Sequence, residues 1–150
     1  MTIKEQIDQD LKQAMLAGNK TLAMTLRGLK SVILYAEVAK GTREQGSSDQ
    51  EVIDLFAKEA KKRQESADLY RQGGNEERAV LELEEKKVIE QYLPQQMSDE
   101  DLNSLVDQAV AELGAMDMKQ MGQVIALVKE RSQNQADGGR IAKAVKERLN

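Results

Sequence analysis

The sequence predicts an all-α protein: an N-terminal four-helix, bundle-like body followed by a small three-helix tail. Three observations carry that prediction. Apolar residues make up 40% of the 150 positions, yet only Tyr35, Phe56, Tyr70 and Tyr92 are aromatic. Such a core, built from Leu, Ile, Val, Ala and Met, suits stacked helices better than sheet. Capping residues and helical spacing recur along the chain. The single proline, Pro94, lacks a backbone donor and disfavours helical geometry at Leu93, so it divides the chain. The expected organisation is a body over residues 1–93, a hinge over 94–97 and a tail over 98–150.

Thr2-Ile3-Lys4-Glu5 reads as a capping box. Ile3, Ile7, Leu11, Ala14 and Met15 follow at helical spacing, and Gly18 provides a stop, so helix one runs over about 2–17. Asn19 caps helix two, whose apolar stripe is Leu22, Leu26, Leu29, Ile33 and Ala36, widened by Val32. Gly28 lies inside it and costs up to about 1 kcal/mol against alanine. Close approach of a neighbouring helix would account for that glycine. Gly41 ends the helix, and residues 41–48 read as a loose polar segment. Ser48-Asp49-Gln50-Glu51 is a second capping box.

Helix three, about 49–72, turns Val52, Leu55, Phe56, Ala60, Ala67 and Tyr70 inward. On its surface, Asp54 and Lys58, and Glu59 and Arg63, stand four apart as ordinary helix pairs. Gly73-Gly74 breaks it, and Asn75 caps helix four, about 76–92. That helix is expected to bury Ala79, Val80, Leu83, Val88 and Ile89 and to carry Glu82, Glu84, Glu85, Lys86 and Lys87 outside. Four helices with short connections suggest an antiparallel bundle.

Ser98 starts the tail. Helix five, about 99–112, has Leu102, Leu105, Val106, Ala109, Val110 and Leu113 as its apolar side, and Gly114 closes it. Asp117-Met118-Lys119-Gln120 opens helix six, lined by Met121, Val124, Ile125 and Val128, with Gly122 allowing close packing. It frays near Arg131. Asp137 caps helix seven, which buries Ile141, Val145 and Leu149.

The composition excludes several chemistries. The chain has no cysteine, hence no disulfide, thiolate nucleophile or sulfur metal site. It has no histidine, the commonest general base and transition-metal ligand. No serine sits in a Gly-x-Ser-x-Gly elbow, and Ser47-Ser48 reads as loop and cap. Glu82, Glu84, Glu85 and Glu90 suggest magnesium, but no phosphate loop accompanies them, so they read as a solvated face. Met116, Met118 and Met121 read as adaptable core or interface residues. No catalytic, cofactor-binding or metal-binding residue is therefore assigned. The start of the chain has no apolar core of a signal peptide, and no run approaches about 20 apolar residues. The expectation is a cytoplasmic protein that does not contact membranes.

The net charge of −4 opposes general nucleic-acid binding but leaves room for a local basic face. One lies at the end. Lys129, Arg131, Arg140, Lys143, Lys146 and Arg148 stand against Glu130, Asp137 and Glu147, a local excess of +3. Such cations bind phosphates with steep salt dependence. The backbone of Gly138-Gly139 offers amides at a helix start, a natural anion site that Asp137 itself competes for as cap. The alternative is that these residues solvate helix seven and complement its dipole. Lys58, Lys61, Lys62 and Arg63 form a second cluster, read chiefly as a solvated helix face.

An ordered set of motifs resembles the YqeY family. It comprises Tyr92-Leu93-Pro94-Gln95-Gln96, Ser98-Asp99-Glu100-Asp101-Leu102, Asp117-Met118-Lys119-Gln120-Met121-Gly122 and Asp137-Gly138-Gly139 before a Lys-rich last helix. Upstream, Leu26-Arg27-Gly28-Leu29-Lys30-Ser31 and Lys62-Arg63-Gln64-Glu65-Ser66-Ala67 are similar too. The family resembles the helical and tail parts of the B subunit of tRNA-dependent amidotransferase, whose tail contacts tRNA. A similar extension occurs on some glutaminyl-tRNA synthetases. The resemblance implies a two-part helical fold and an accessory module that binds tRNA, or positions a tRNA enzyme such as a synthetase or amidotransferase, without an active site of its own. The alternatives are a carbon–nitrogen ligase activity with glutamine as amido donor, within a complex, or a protein-interaction module without RNA contact.

Overall fold

A computed structural model describes all residues 1–150. Seven α-helices and no strands form the chain: α1 (Ile3–Leu16), α2 (Lys20–Lys40), α3 (Asp49–Gln72), α4 (Glu76–Glu90), α5 (Asp99–Leu113), α6 (Met121–Ser132) and α7 (Gly138–Leu149). A single 3₁₀ turn, Met118–Gln120, precedes α6. The chain divides into two compact units, Met1–Leu93 and Pro94–Asn150. No helix is long and apolar enough to cross a membrane.

In the body, both capping boxes close reciprocally. The Glu5 amide donates to Thr2 Oγ1 and the Thr2 amide to Glu5 Oε2, each at 3.1 Å. Ser48 and Glu51 repeat this at 3.2 Å in both directions. Asn19 and Asn75 accept from the third amide of α2 and α4. Gly41, at φ 70°, takes the left-handed conformation that ends α2. Ile7, Leu26, Leu29, Ile33, Val52, Phe56, Ile89 and Tyr92 are buried together as the core. Phe56 meets the Tyr92 ring edge-on at 6.0 Å, an arrangement favoured by the ring quadrupoles. The Tyr92 hydroxyl donates to Asp10 Oδ2 at 2.6 Å, tying the end of α4 to α1. Burial, and then this bond to a carboxylate, push the phenol well above its ordinary pKa.

The α3 helix, with 24 residues, outruns that core. Ala67 and Ala79 are buried beyond it but lie outside the cluster. There α3 and α4 meet through polar groups. Arg63 Nη1 reaches Glu82 at 3.4 Å, its Nε lies 3.3 Å from Glu85 Oε2 off the line of its N–H bond, and Lys86 Nζ donates to Gln64 at 2.8 Å. This corrects the expected outer face of α4: Glu82, Glu85 and Lys86 face α3, whereas Val80 is exposed. The expected local pairs on α3 do not form either. Asp54 accepts from Gln50, Glu59 pairs with Lys62, and Arg63 turns to α4 because two carboxylates there outweigh one on its own helix.

Residues 41–48 are built rather than loose. The Thr42 amide donates to the Glu37 carbonyl at 2.8 Å, and the Gly46 amide to the Thr42 carbonyl at 2.7 Å. Beneath them the buried Glu37 carboxylate accepts from Lys4 Nζ at 2.8 Å. Hydrogen bonding from Lys4 foremost, against the opposing effect of burial, and then from Ser47, lowers its pKa. Gly46 sits at φ 76°, and a Cβ there would lie 3.3 Å from Lys4 Nζ.

In the tail, Leu102, Val106, Ala109, Val110, Val124, Val128, Ile141 and Val145 form the core. Ser98, Asp117 and Asp137 cap α5, the 3₁₀ turn and α7, and Gly114 at φ 63° ends α5. Gln133 and Asn134 take positive φ of 50° and 65°, turning the chain sharply after α6. Ser132 is buried there and donates to the Lys129 carbonyl at 3.0 Å. Met116 is almost wholly exposed, so it takes no part in this core. A Cβ on Gly28 or Gly122 would meet no atom within 4 Å, so close packing inside the protein explains neither glycine.

Candidate nucleic-acid interface

The six candidate cations from Lys129 to Arg148 separate by residue type. Arg140 is only 29% exposed and works inside the fold. Its Nη2 donates to the Met97 carbonyl at 2.8 Å and to Asp99 Oδ1 at 2.9 Å. The Met97 amide in turn donates to the Gln135 carbonyl at 2.7 Å. The segment entering α5 is thereby stitched to the α6–α7 turn, a task suited to the planar guanidinium fork. Arg148 Nε donates to Asp107 at 2.8 Å, and Arg131 pairs with Glu112. All three arginines thus face carboxylates of α5. Lys129, Lys143 and Lys146 are exposed and have no ion-pair or hydrogen-bond partner for their ammonium groups.

On α7, Lys143 and Lys146 stand three residues apart, close neighbours on the side away from Ile141 and Val145. Exposed lysines on flexible stems hold a phosphate as point charges, with no fixed geometry of their own. Glu147 is exposed beside them and moderates the local potential.

The Gly138-Gly139 pair has a local reason. Asp137 Oδ1 accepts the Arg140 amide at 2.8 Å, and a Cβ on Gly139 would sit 3.2 Å from that same oxygen. Glycine there leaves room for the cap. A phosphate at this helix start would meet the Asp137 carboxylate already in place.

Elsewhere, Lys58 and Lys61 are exposed and unpaired on α3. Of the four α4 carboxylates weighed for magnesium, Glu82 and Glu85 are engaged by Arg63 and Glu90 by Lys86 at 3.9 Å, while Glu84 is exposed and unpaired. No three His, Cys, Asp or Glu side chains converge as metal ligands. An open groove lies between α1 and α2, lined by Leu11, Met15 and Leu16 and spanned by Lys30 and Asp8 at 2.7 Å. The sequence shows these cations without their partners. The signal for those partners was the acidic α5, which supplies Asp99, Asp107 and Glu112.

The family model described as Yqey-like protein matches residues 4–149. The chain belongs to the YqeY family. No curated protein matches the chain significantly. The family assignment spans both units, so the separation into four-helix body and three-helix tail falls inside one family match rather than at a junction of two.

Proposed function

We propose that this YqeY-family protein is a cytoplasmic accessory module that binds tRNA through the exposed face of its tail. It positions tRNA, or an enzyme acting on tRNA such as an amidotransferase or synthetase, and supplies no chemistry of its own. The observation that carries this reading is the division of labour among the tail cations. Arg140 is held inside the fold and Arg131 and Arg148 are paired at the surface with α5 carboxylates, whereas Lys129, Lys143 and Lys146 remain unpaired in solvent. Lysines free of carboxylates have no ion pair to break before contacting phosphate. The resemblance of the tail to a tRNA-contacting module gives that phosphate its identity.

The test is a titration of tRNA against the full chain at two salt concentrations, beside Lys143→Ala/Lys146→Ala. Binding of the wild type should weaken steeply with salt. The variant should bind more weakly, with the logarithmic salt slope reduced by about 0.7–0.9 for each phosphate no longer neutralised. Absence of binding at low salt, or an unchanged slope in the variant, contradicts the reading.

A further inference from the structure

The α2 helix has two apolar faces, and the protomer uses one. Ala23, Leu26, Leu29 and Ile33 are buried in the body core. On the opposite side, Met24, Gly28, Ser31, Tyr35 and Val38 recur at alternating spacings of four and three residues. That is the repeat of a seam between paired helices. Met24, Tyr35 and Val38 are 71%, 75% and 56% exposed. Gly28 sits mid-helix, where glycine is unfavourable, yet a side chain there would meet nothing within 4 Å. Nothing inside the protomer calls for its absence.

We infer that this face pairs with α2 of a second copy of the chain, antiparallel, about a two-fold axis at Ser31. The register follows from shape. Antiparallel pairing about residue 31 sets Met24 opposite Val38 and the bulky Tyr35 opposite Arg27, beside the gap left by Gly28, while Ser31 meets itself. Parallel pairing would set Tyr35 on Tyr35 and leave Gly28 facing Gly28. The Ser31 hydroxyl already donates to the Arg27 carbonyl at 3.1 Å, so it enters an interface satisfied.

Charge points the same way. Arg27, at the edge of the seam, is exposed and has no ion-pair partner in its own chain. The antiparallel register brings it over the Tyr35 ring of the second copy, a cation–π contact made twice by symmetry. The only carboxylate on α2, Glu37, is buried against Lys4 and does not compete for it.

The test uses the full chain, which has no cysteine, so one introduced thiol is unique. Sedimentation equilibrium of the wild type should show a concentration-dependent dimer. Gly28→Gln and Tyr35→Ser should each weaken it by about tenfold or more, with helicity retained. Gly28→Gln meets open space and gains helix propensity, so it tests the interface rather than the fold. Under mild oxidant, Ser31→Cys should form a covalent dimer much faster than Met24→Cys, whose two copies would stand about 21 Å apart along the paired helices. A wild type that stays monomeric at several hundred micromolar overturns the inference. So does a Gly28→Gln chain that dimerises as the wild type does, or equal cross-linking at positions 24 and 31, which would mark a parallel pair.

Discussion

The body and the tail close by different means. The body turns on an aromatic lock: Phe56 packs edge-on to Tyr92, whose hydroxyl reaches Asp10. The tail has no aromatic residue at all. Its core consists of Leu, Ile, Val and Ala, and its entry segment is fastened by Arg140 between the Met97 carbonyl and Asp99. The smaller unit, with less apolar surface to bury, thus substitutes a polar stitch for aromatic bulk. For the same reason the basic residues of the tail cannot be counted as one surface. An arginine that holds the fold is not available to a ligand.

The body is most vulnerable at Phe56. This ring is fully buried, and Phe56→Ala should cost about 3–5 kcal/mol in chemical denaturation through reduced burial and the cavity left behind. A loss under 1 kcal/mol would mean the body does not depend on this ring. The tail's counterpart is Arg140→Met, which keeps much of the stem but removes the bonds to Met97 and Asp99. It should cost about 1.5–3 kcal/mol, read as loss of hydrogen-exchange protection in the tail. An unchanged tail would show that its apolar core suffices.

Glu37 gives a smaller effect with a pH signature. Its folded pKa is lowered, chiefly by the Lys4 hydrogen bond. Stability from this group is therefore present above the ordinary carboxylate value of 4.5 and lost as pH falls through the depressed folded value. Glu37→Gln should cost about 1 kcal/mol at neutral pH and flatten that part of the acid limb. An acid limb identical in both proteins would contradict the assignment. The smallest effect has the opposite sign. Gly122→Ala meets no atom within 4 Å and should stabilise the tail by up to about 1 kcal/mol in thermal unfolding. Destabilisation would mean that something outside the chain's own packing needs that glycine.

Local signals in the sequence were legible because their physics is local. Thr2, Ser48, Ser98 and Asp137 each cap the helix that follows within three residues, and Gly41 and Gly114 end helices by taking positive φ. The apolar stripes located most of both cores for the same reason, but they missed Tyr92 and the alanines Ala23, Ala115, Ala136 and Ala144, and they included Met15, which is exposed. Polar partners were not legible. Spacing pairs Arg63 with Glu59 on its own helix, yet it reaches Glu82 and Glu85 across the α3–α4 contact. Arg140 finds Asp99 from 41 residues away, and Glu37 finds Lys4 from 33. Spacing rules of three and four residues say nothing about such meetings. They depend on which helices become neighbours. The candidate site was legible as six cations, and only the fold separates the three engaged arginines from the three free lysines.

The most direct test of that separation is a charge-matched comparison of tRNA affinity at fixed low salt. Lys143→Gln/Lys146→Gln and Arg131→Gln/Arg148→Gln each remove two positive charges from the tail. If lysines form the contact and these arginines are committed to Glu112 and Asp107, the lysine variant should bind about tenfold or more weakly. The arginine variant should then stay within about twofold of the wild type. Equal losses in the two variants would show that only net charge matters and would contradict the division of labour.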